Sequence, residues 1–210
     1  MTKGFFAGFL GLIVLVSASG LAVASPTDVL RGPLDQAVLL LKDPKYQTDD
    51  PGLIAEQRDK IWDIVAGTFD LEEVSRRALA RNWKSFSPEQ QKDFVAVFSK
   101  MLGNIYVDRI QTGFSDQKVE FDSEILHDAK PLAIVKTFIV SDQNKIPVDY
   151  SLKKKDDHWL VYDVKVEGVS LISNYRSSYQ EIVKRDGFDG LLAQMEEKIR
   201  ELKSAPAEAG

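Results

Sequence analysis

The spacing of apolar residues changes twice along this chain, and these changes set the fold class. From residue 53 to residue 113 apolar side chains recur every three or four positions, as on an amphipathic helix. Between residues 119 and 166 they alternate with polar residues or form one continuous run, as in half-buried and central strands. Helical spacing returns over residues 169–202. Strands grouped between two groups of helices, without βαβ alternation, predict an α+β fold.

Polar residues and prolines mark the expected helix ends. Asp70 and Glu73 have the spacing of a capping box. Ser87 and Pro88 are typical of the N-cap and first residue of a long helix, which Gly113 would end. The expected elements in this half are a short amphipathic helix within 25–41, a loop over 42–52, a helix over 53–69, and helices starting at 71 and 88.

The central segment predicts four strands with short connections, over 119–125, 132–140, 146–152 and 159–166. Short connections favour an antiparallel meander. Gly168 and Ser170 are expected to end the last strand and cap a helix. That helix would stop at Gly187, and Asp189 would cap a final one.

The N-terminal 24 residues have the pattern of a secretory signal peptide. Lys3 is followed by a short apolar run and then by Ala22-Val23-Ala24, which predicts cleavage after Ala24. An uncleaved transmembrane anchor is the alternative, but the run is short for a membrane span. We expect one domain over 25–203 and a frayed tail over 204–210. Export without cysteine suits a Gram-negative periplasm.

Several classes of chemistry are excluded by composition. The formal net charge of −5 argues against a protein that tracks nucleic-acid phosphates. The chain has no cysteine, which removes disulfides, thiolate catalysis and Cys-ligated metals. The common nucleotide-binding, serine-hydrolase and zinc-protease motifs are missing. His127 and His158 fall in predicted turns and are expected to be exposed. We therefore expect no cofactor and no metal site.

Two carboxylates keep an enzymatic alternative open. Asp149 and Asp163 lie on adjacent predicted strands, and either could act as the base of a small cavity enzyme with a cone-shaped α+β fold. The simpler interpretation is a strand-face aspartate paired with Lys136 or Lys165. A third possibility is a periplasmic adaptor with a filled core and only protein partners.

The C-terminal half carries a recognisable pattern, Tyr162-Asp163 followed by Glu167-Gly168-Val169-Ser170, and then Gly187-Phe-Asp-Gly-Leu191. The segments Phe69–Leu71, Arg77–Trp83 and Ser87–Gln90 agree with it. Together they resemble the MlaC-type (toluene-tolerance) family of periplasmic phospholipid-binding proteins, over about residues 53–202. Ala80 departs from the pattern, because many members have Gly there, and slightly wider helix packing is expected at that point.

The resemblance implies a non-enzymatic lipid carrier. The implied fold is a curved, NTF2-like antiparallel sheet with helices packed on it and an apolar cavity between them. The implied cargo is a glycerophospholipid, with hopanoids as the alternative in related subfamilies. The implied partners are an outer-membrane lipoprotein–porin complex and an inner-membrane ABC transporter with a ring of MCE domains, which together maintain outer-membrane lipid asymmetry. A diffusing shuttle would be a monomer.

The lipid slot is expected where apolar residues of the sheet and the helices meet. Each candidate could instead be an ordinary core residue. The candidates are Met101, Ile105, Ile134, Tyr150, Tyr162, Val164, Val169, Ile172 and Tyr175.

Overall fold

A computed structural model describes residues 24–114 and 116–204, in which helices precede and follow an antiparallel sheet. The helices are α1 (Pro26–Lys42), α2 (Pro51–Thr68), α3 (Leu71–Leu79), α4 (Pro88–Gly113) and α5 (Leu171–Ser204), with 3₁₀ turns at Pro44–Tyr46 and Ala80–Ser85. The strands are β1 (Lys118–Leu126), β2 (Leu132–Val140), β3 (Lys145–Lys155), β4 (His158–Val166) and β5 (Val169–Ser170). The α+β prediction is confirmed.

Helix starts follow local capping chemistry. At α4 the Ser87 hydroxyl accepts from the Gln90 amide at 3.2 Å, and the Gln90 side chain accepts from the Ser87 amide at 3.0 Å, so the predicted start is confirmed. At α2 the Asp50 carboxylate accepts from the backbone amides of Gly52 and Leu53. The predicted loop over 42–52 is therefore too long, because Pro51 opens a helix here rather than continuing a loop.

The predicted capping box at α3 is half right. Asp70 accepts from the Glu73 amide at 3.0 Å, as expected. The Glu73 side chain does not reach back, because the Asp70 amide donates to the carbonyl oxygen of Val161 at 2.9 Å. Glu73 instead pairs with cationic side chains. The start of α3 is thereby fastened to β4.

The five strands form a meander in the order β1-β2-β3-β4-β5, so the prediction of four strands is corrected. The fifth is only Val169 and Ser170, and Val169 lies opposite Val166. Glu167 and Gly168 have φ of 52° and 81°, the left-handed conformations that a tight hairpin turn requires. Gly168 was expected to end the strand, but it turns the chain back onto β4.

Two main groups of buried apolar side chains form the core. The helical cluster draws on α3, α4 and α5, and its buried members are Val74, Ala78, Leu79, Phe94, Phe98, Met101, Leu102, Ile172, Tyr179, Leu191, Met195 and Ile199. The sheet cluster joins α1 to the sheet through Leu30, Ala133, Val135, Leu152 and Val161. Phe69 packs against both clusters. A smaller cluster of Leu41, Ile61 and Val107 joins α1, α2 and α4.

Gly187 interrupts α5 with φ of 70° and ψ of −166°, where the sequence predicts a helix end. Asp189 makes no side-chain hydrogen bond within residues 24–114 and 116–204, so the prediction that it caps the second segment is wrong. Gly187 supplies the break through backbone conformation instead.

The chain ends lie mostly beyond the described ranges. The predicted signal peptide falls on residues 1–23 outside them and on Ala24, and residues 205–210 of the expected tail also lie outside. Ser204 is the last residue of α5. Among the helices that the structure describes, none has the length and apolarity of a membrane span.

Ala80 ends α3 in a strained conformation. Its φ of 49° and ψ of −118° lie in a region that L-residues rarely adopt. A glycine at this point would therefore relieve backbone strain, a role distinct from the expected helix spacing. We predict that Ala80→Gly raises the free energy of unfolding by about 1 kcal/mol, measured by urea denaturation.

The matched control is Ala96→Gly, at an exposed position inside α4. It should lower the free energy of unfolding by about 1 kcal/mol, because glycine is a poor helix former. Equal destabilisation by the two substitutions would contradict the strain at Ala80.

Candidate functional site

An aromatic wall links α4 to α5 inside the helical cluster. Phe98 meets Tyr175 and Tyr179 edge-on, with ring centroids 5.0 and 5.5 Å apart. Phe94 meets Tyr179 at 5.8 Å in the same geometry. Such contacts stabilise pairs of rings beyond the area they bury. Tyr179 also donates to the Met101 sulfur at 4.0 Å. The wall offers apolar surface with adaptable thioether contacts.

The tyrosine hydroxyls add polarity without charge. The hydroxyls of Tyr106 and Tyr175 lie 3.5 Å apart. Burial raises the pKa of Tyr150 to about 12. Burial also raises the pKa of Tyr175 and Tyr179 well above the usual value, with the Tyr106 hydrogen bond adding to the shift at Tyr175. These phenols therefore stay neutral, which suits a site for an apolar ligand with few polar groups.

Most of the nine predicted slot residues come together in the two clusters. Five lie in the helical cluster or pack against it, namely Met101, Ile105, Tyr162, Ile172 and Tyr175. Tyr150 and Val164 pack against the sheet cluster and face each other across β3 and β4. Two surface pockets, of about 340 and 250 Å³, are lined mainly by charged residues, and none of the nine lines either.

Ile134 and Val169 lie apart from the other seven. Side chains alternate along β2, so Ile134 points to the sheet face opposite that of Ala133 and Val135. The nearly continuous apolar run of β2 hides this difference. Val169 is 57% exposed at the sheet edge.

Four residues of this region were not among the predicted slot residues. Phe94, Phe98 and Tyr179 form the aromatic wall, and Phe69 connects the two clusters. Helical spacing already placed Phe94 and Phe98 on the same face as Met101 and Ile105. From the sequence alone, the same spacing predicts ordinary core.

Asp163 has a structural role at the start of α5. One carboxylate oxygen accepts from the Ser170 hydroxyl at 2.6 Å, and the other accepts from the Ile172 amide at 3.2 Å. The Ser170 hydroxyl in turn accepts from the Ser173 amide at 3.0 Å, so the predicted cap by Ser170 is confirmed. Both oxygens of Asp163 are thus engaged in fixing the start of the helix.

The other polar candidates give no catalytic cluster. Asp149 lies opposite Lys136 on β2 and opposite Lys165 on β4, but among the described residues it forms no ion pair with either, so only the strand-face position is as expected. His127 and His158 are both exposed. Within the described ranges, no group of histidine and carboxylate side chains is arranged to hold a metal ion.

A buried carboxylate joins α3 to the sheet. Glu73 accepts from Arg76 at 2.9 Å and from Arg77 at 2.8 Å, and the Lys153 ammonium of β3 lies 3.4 Å away. The Arg77 guanidinium also stacks 3.7 Å from the ring centre of Tyr162. Burial opposes ionisation of Glu73, but the hydrogen bonds and charges of Arg76 and Arg77 outweigh it and lower its pKa.

We predict that Glu73→Gln lowers the free energy of unfolding by about 2 kcal/mol at pH 7, because it leaves three cations around an uncharged amide. The folded-state pKa is below the unfolded-state value. The stabilisation is therefore complete above the unfolded-state pKa of about 4.3 and is lost as the pH falls through the lowered folded-state pKa. The check is urea denaturation at pH 7 and at lower pH. The free energies of unfolding of the wild type and of Glu73→Gln should converge in acid.

Glu56→Gln provides the matched control, because Glu56 pairs with Lys45 and Lys60 at the surface. It should lower the free energy of unfolding far less than Glu73→Gln does, because solvent screens an exposed ion pair. Equal losses for the two variants would show that the Glu73 network does not fasten α3 to the sheet.

Comparisons with known proteins agree with this architecture. The family model described as MlaC protein matches residues 34–197. The intermembrane phospholipid transport system binding protein MlaC of Haemophilus influenzae is 23% identical over 189 residues, covering 87% of this chain and 86% of its own. The toluene tolerance protein Ttg2D of Pseudomonas putida is 24% identical over 184 residues, covering 85% of this chain and 84% of its own.

A solved structure shares the fold. It is a phospholipid-binding protein from Ralstonia solanacearum in complex with a phospholipid, and it matches with a TM-score of 0.73 at 21% identity. The match covers 86% of this chain and 100% of that chain. The arrangement of helices around an antiparallel sheet is therefore common to both.

Proposed function

Because the chain belongs to the MlaC family, we propose that it is a carrier that binds the acyl chains of a glycerophospholipid and moves the lipid between membranes. The observation that carries this proposal is the helical cluster, an apolar region with aromatic walls and neutral phenols, in a chain of this family. The names of the relatives and the phospholipid bound to the neighbour of the same fold support the choice of cargo.

The free energy of lipid transfer explains why such a carrier needs an apolar slot. Two acyl chains hold roughly 30 methylenes, and at about 0.8 kcal/mol each their transfer out of water is worth on the order of 24 kcal/mol. A free lipid therefore crosses an aqueous gap slowly. The slot only has to hold the acyl chains about as favourably as the bilayer does, since much tighter binding would trap the lipid.

We place the acyl chains between β4 and the helices α4 and α5. Half-buried Ile105, Tyr162 and Tyr175 border this region, while Met101 is only 4% and Ile172 only 2% exposed. Side chains this well covered leave little room beside them. The space for acyl chains must therefore come from movement of the helices and of flexible side chains such as Met101.

The remaining slot residues take different positions in this arrangement. Tyr150 and Val164 pack against the sheet cluster, on the side of α1, so they would meet the chains only where Phe69 joins the two clusters. Val169 would lie at the rim, where it is exposed beside the start of α5. Ile134 lies on the opposite face of the sheet, and we leave it outside the slot.

The route of the cargo follows from the family resemblance. We propose export to the periplasm with cleavage after Ala24, and shuttling between an outer-membrane lipoprotein–porin complex and an inner-membrane ABC transporter with MCE domains. Such a carrier serves outer-membrane lipid asymmetry as a monomer. It requires no cofactor and no catalytic residue, and the energy would come from the transporter.

The first test is solvent extraction of the purified, detergent-free protein, followed by mass spectrometry. We predict near-stoichiometric glycerophospholipid. If the extracted lipid is a hopanoid, the protein is still a lipid carrier, but it belongs to another lipid pathway. An empty extract would contradict the carrier and favour an adaptor with a filled core. An aspartate-based enzyme would remain only if a soluble substrate were found, since both oxygens of Asp163 are engaged.

A second test places the slot on α4. We predict that Ile105→Asn lowers lipid occupancy at least severalfold in the same extraction, because Ile105 packs against the helical cluster and an amide there is unfavourable beside acyl chains. Ile110→Asn on the same helix is the control, because Ile110 is 40% exposed.

The free energy of unfolding should be measured for both variants. If Ile105 lines the slot, Ile105→Asn lowers the lipid occupancy more than it lowers the free energy of unfolding. A parallel loss of stability and lipid in Ile105→Asn would identify Ile105 as ordinary core. Equal lipid loss in the two variants would place the chains elsewhere.

A further inference from the structure

A surface pocket of about 340 Å³ opens beside the helical cluster and is lined by four cationic side chains. Its lining residues are Arg76, Arg77, Ala80, Trp83, Lys84 and Arg176, with no acidic residue among them. The formal net charge of the whole chain is −5, so this concentration of positive charge runs against the overall balance. We call it the cationic pocket.

Two of the four cations lack an acidic partner. Glu73 engages Arg76 and Arg77. Arg176 donates its Nε to the Arg77 carbonyl oxygen at 3.0 Å, and Lys84 is exposed. Within residues 24–114 and 116–204, neither Lys84 nor the terminal nitrogens of Arg176 meet a hydrogen-bond acceptor. These donors are therefore available to an external anion.

The pocket walls are held in place by the fold. The hydrogen bond from Arg176 to Arg77 ties α5 to the end of α3. The left-handed conformation of Ala80 turns the chain from α3 into the 3₁₀ turn that carries Trp83 and Lys84. Donors from three elements thus converge on one concave space, which favours a compact oxyanion over a flat partner surface. Guanidinium groups match the geometry of phosphate oxygens.

The pocket also borders the proposed slot. Trp83 lines the pocket and packs against the helical cluster. Arg77 lines the pocket and stacks on Tyr162, another residue packed on that cluster. A ligand with apolar chains in the slot could therefore reach the pocket with a polar end.

We propose that the cationic pocket binds a phosphate group, supplied either by the head group of the bound lipid or by free phosphate. Only the head-group source rests on the proposed function. The positioned donors are Lys84 and Arg176, with Arg76 and Arg77 adding positive charge.

The test compares two double variants with the same change in charge. Lys84→Gln/Arg176→Gln removes the two unpaired cations and leaves the Glu73 network in place. Lys198→Gln/Arg200→Gln is the control, because these residues pair with Glu201 and Glu197 on the exposed part of α5. Calorimetric titration of the delipidated protein would use three probes: dihexanoyl phosphatidylglycerol, dihexanoyl glycerol and inorganic phosphate.

We expect the pocket variant to bind dihexanoyl phosphatidylglycerol about tenfold more weakly, while its affinity for dihexanoyl glycerol is unchanged. The control variant should behave as the wild type with every probe. Free phosphate is the ligand if the pocket variant loses only its binding of inorganic phosphate and the wild type binds both lipids with equal affinity.

The proposal is overturned if the pocket variant binds phosphatidylglycerol and phosphate as the wild type does. A wild type that binds phosphate but neither lipid would overturn the lipid carrier and keep the pocket. A wild type that binds both lipids equally and no phosphate would overturn the pocket and keep the carrier. A wild type that binds none of the three probes would overturn both the pocket and the carrier.

Discussion

The architecture depends on the junction between α2, α3 and β4. Here the Asp70 amide donates to Val161, the Asp70 side chain caps α3, and Phe69 packs against both main clusters. Glu73, one turn later, adds an ion pair to Lys153 of β3. Polar contacts of this kind are directional, so they fix the position of α3 on the sheet more closely than apolar packing does. The helices and the sheet can therefore keep their register while the apolar surface between them changes.

This division of roles suits a carrier of the MlaC family. A cluster that holds acyl chains must tolerate being filled and emptied, and its apolar contacts are non-directional and exchangeable. The aromatic wall and Met101 provide such contacts. The start of α5 is held by a separate set of hydrogen bonds, through Asp163 and Ser170. In the proposed carrier, the acyl chains would lie against the helical cluster, while these polar contacts fix where α3 and α5 begin.

The sequence predicts what depends on neighbouring residues. The Ser87 cap and the apolar patterns of β1 to β4 are local signals, and the structure reproduces them. The two-residue β5 was missed because so short a strand leaves no periodic pattern. The partners of Glu73 were missed because the capping-box pattern explained that residue within its own helix, whereas Lys153 comes from a distant strand.

The candidate site shows the same limit. Helical spacing predicts that Met101 and Ile105 are buried. An apolar stripe has the same sequence pattern whether it lines a slot or fills a core. Both faces of β2 are apolar, so the sequence does not show that Ile134 lies on the face opposite Ala133 and Val135. Most of the cationic pocket comes from one stretch of the sequence, residues 76–84, but Arg176 of α5 joins that stretch only in the folded chain.

The burial of the helical cluster also bears on its chemical durability. The chain has no cysteine, and beyond Met1 its only sulfur atoms are those of Met101 and Met195, both buried in this cluster. Oxidation would turn either thioether into a polar sulfoxide inside an apolar environment. The packing that excludes water from the cluster also keeps oxidants away from these two atoms. The two thioethers are therefore protected from oxidation for as long as the helices of the cluster stay packed.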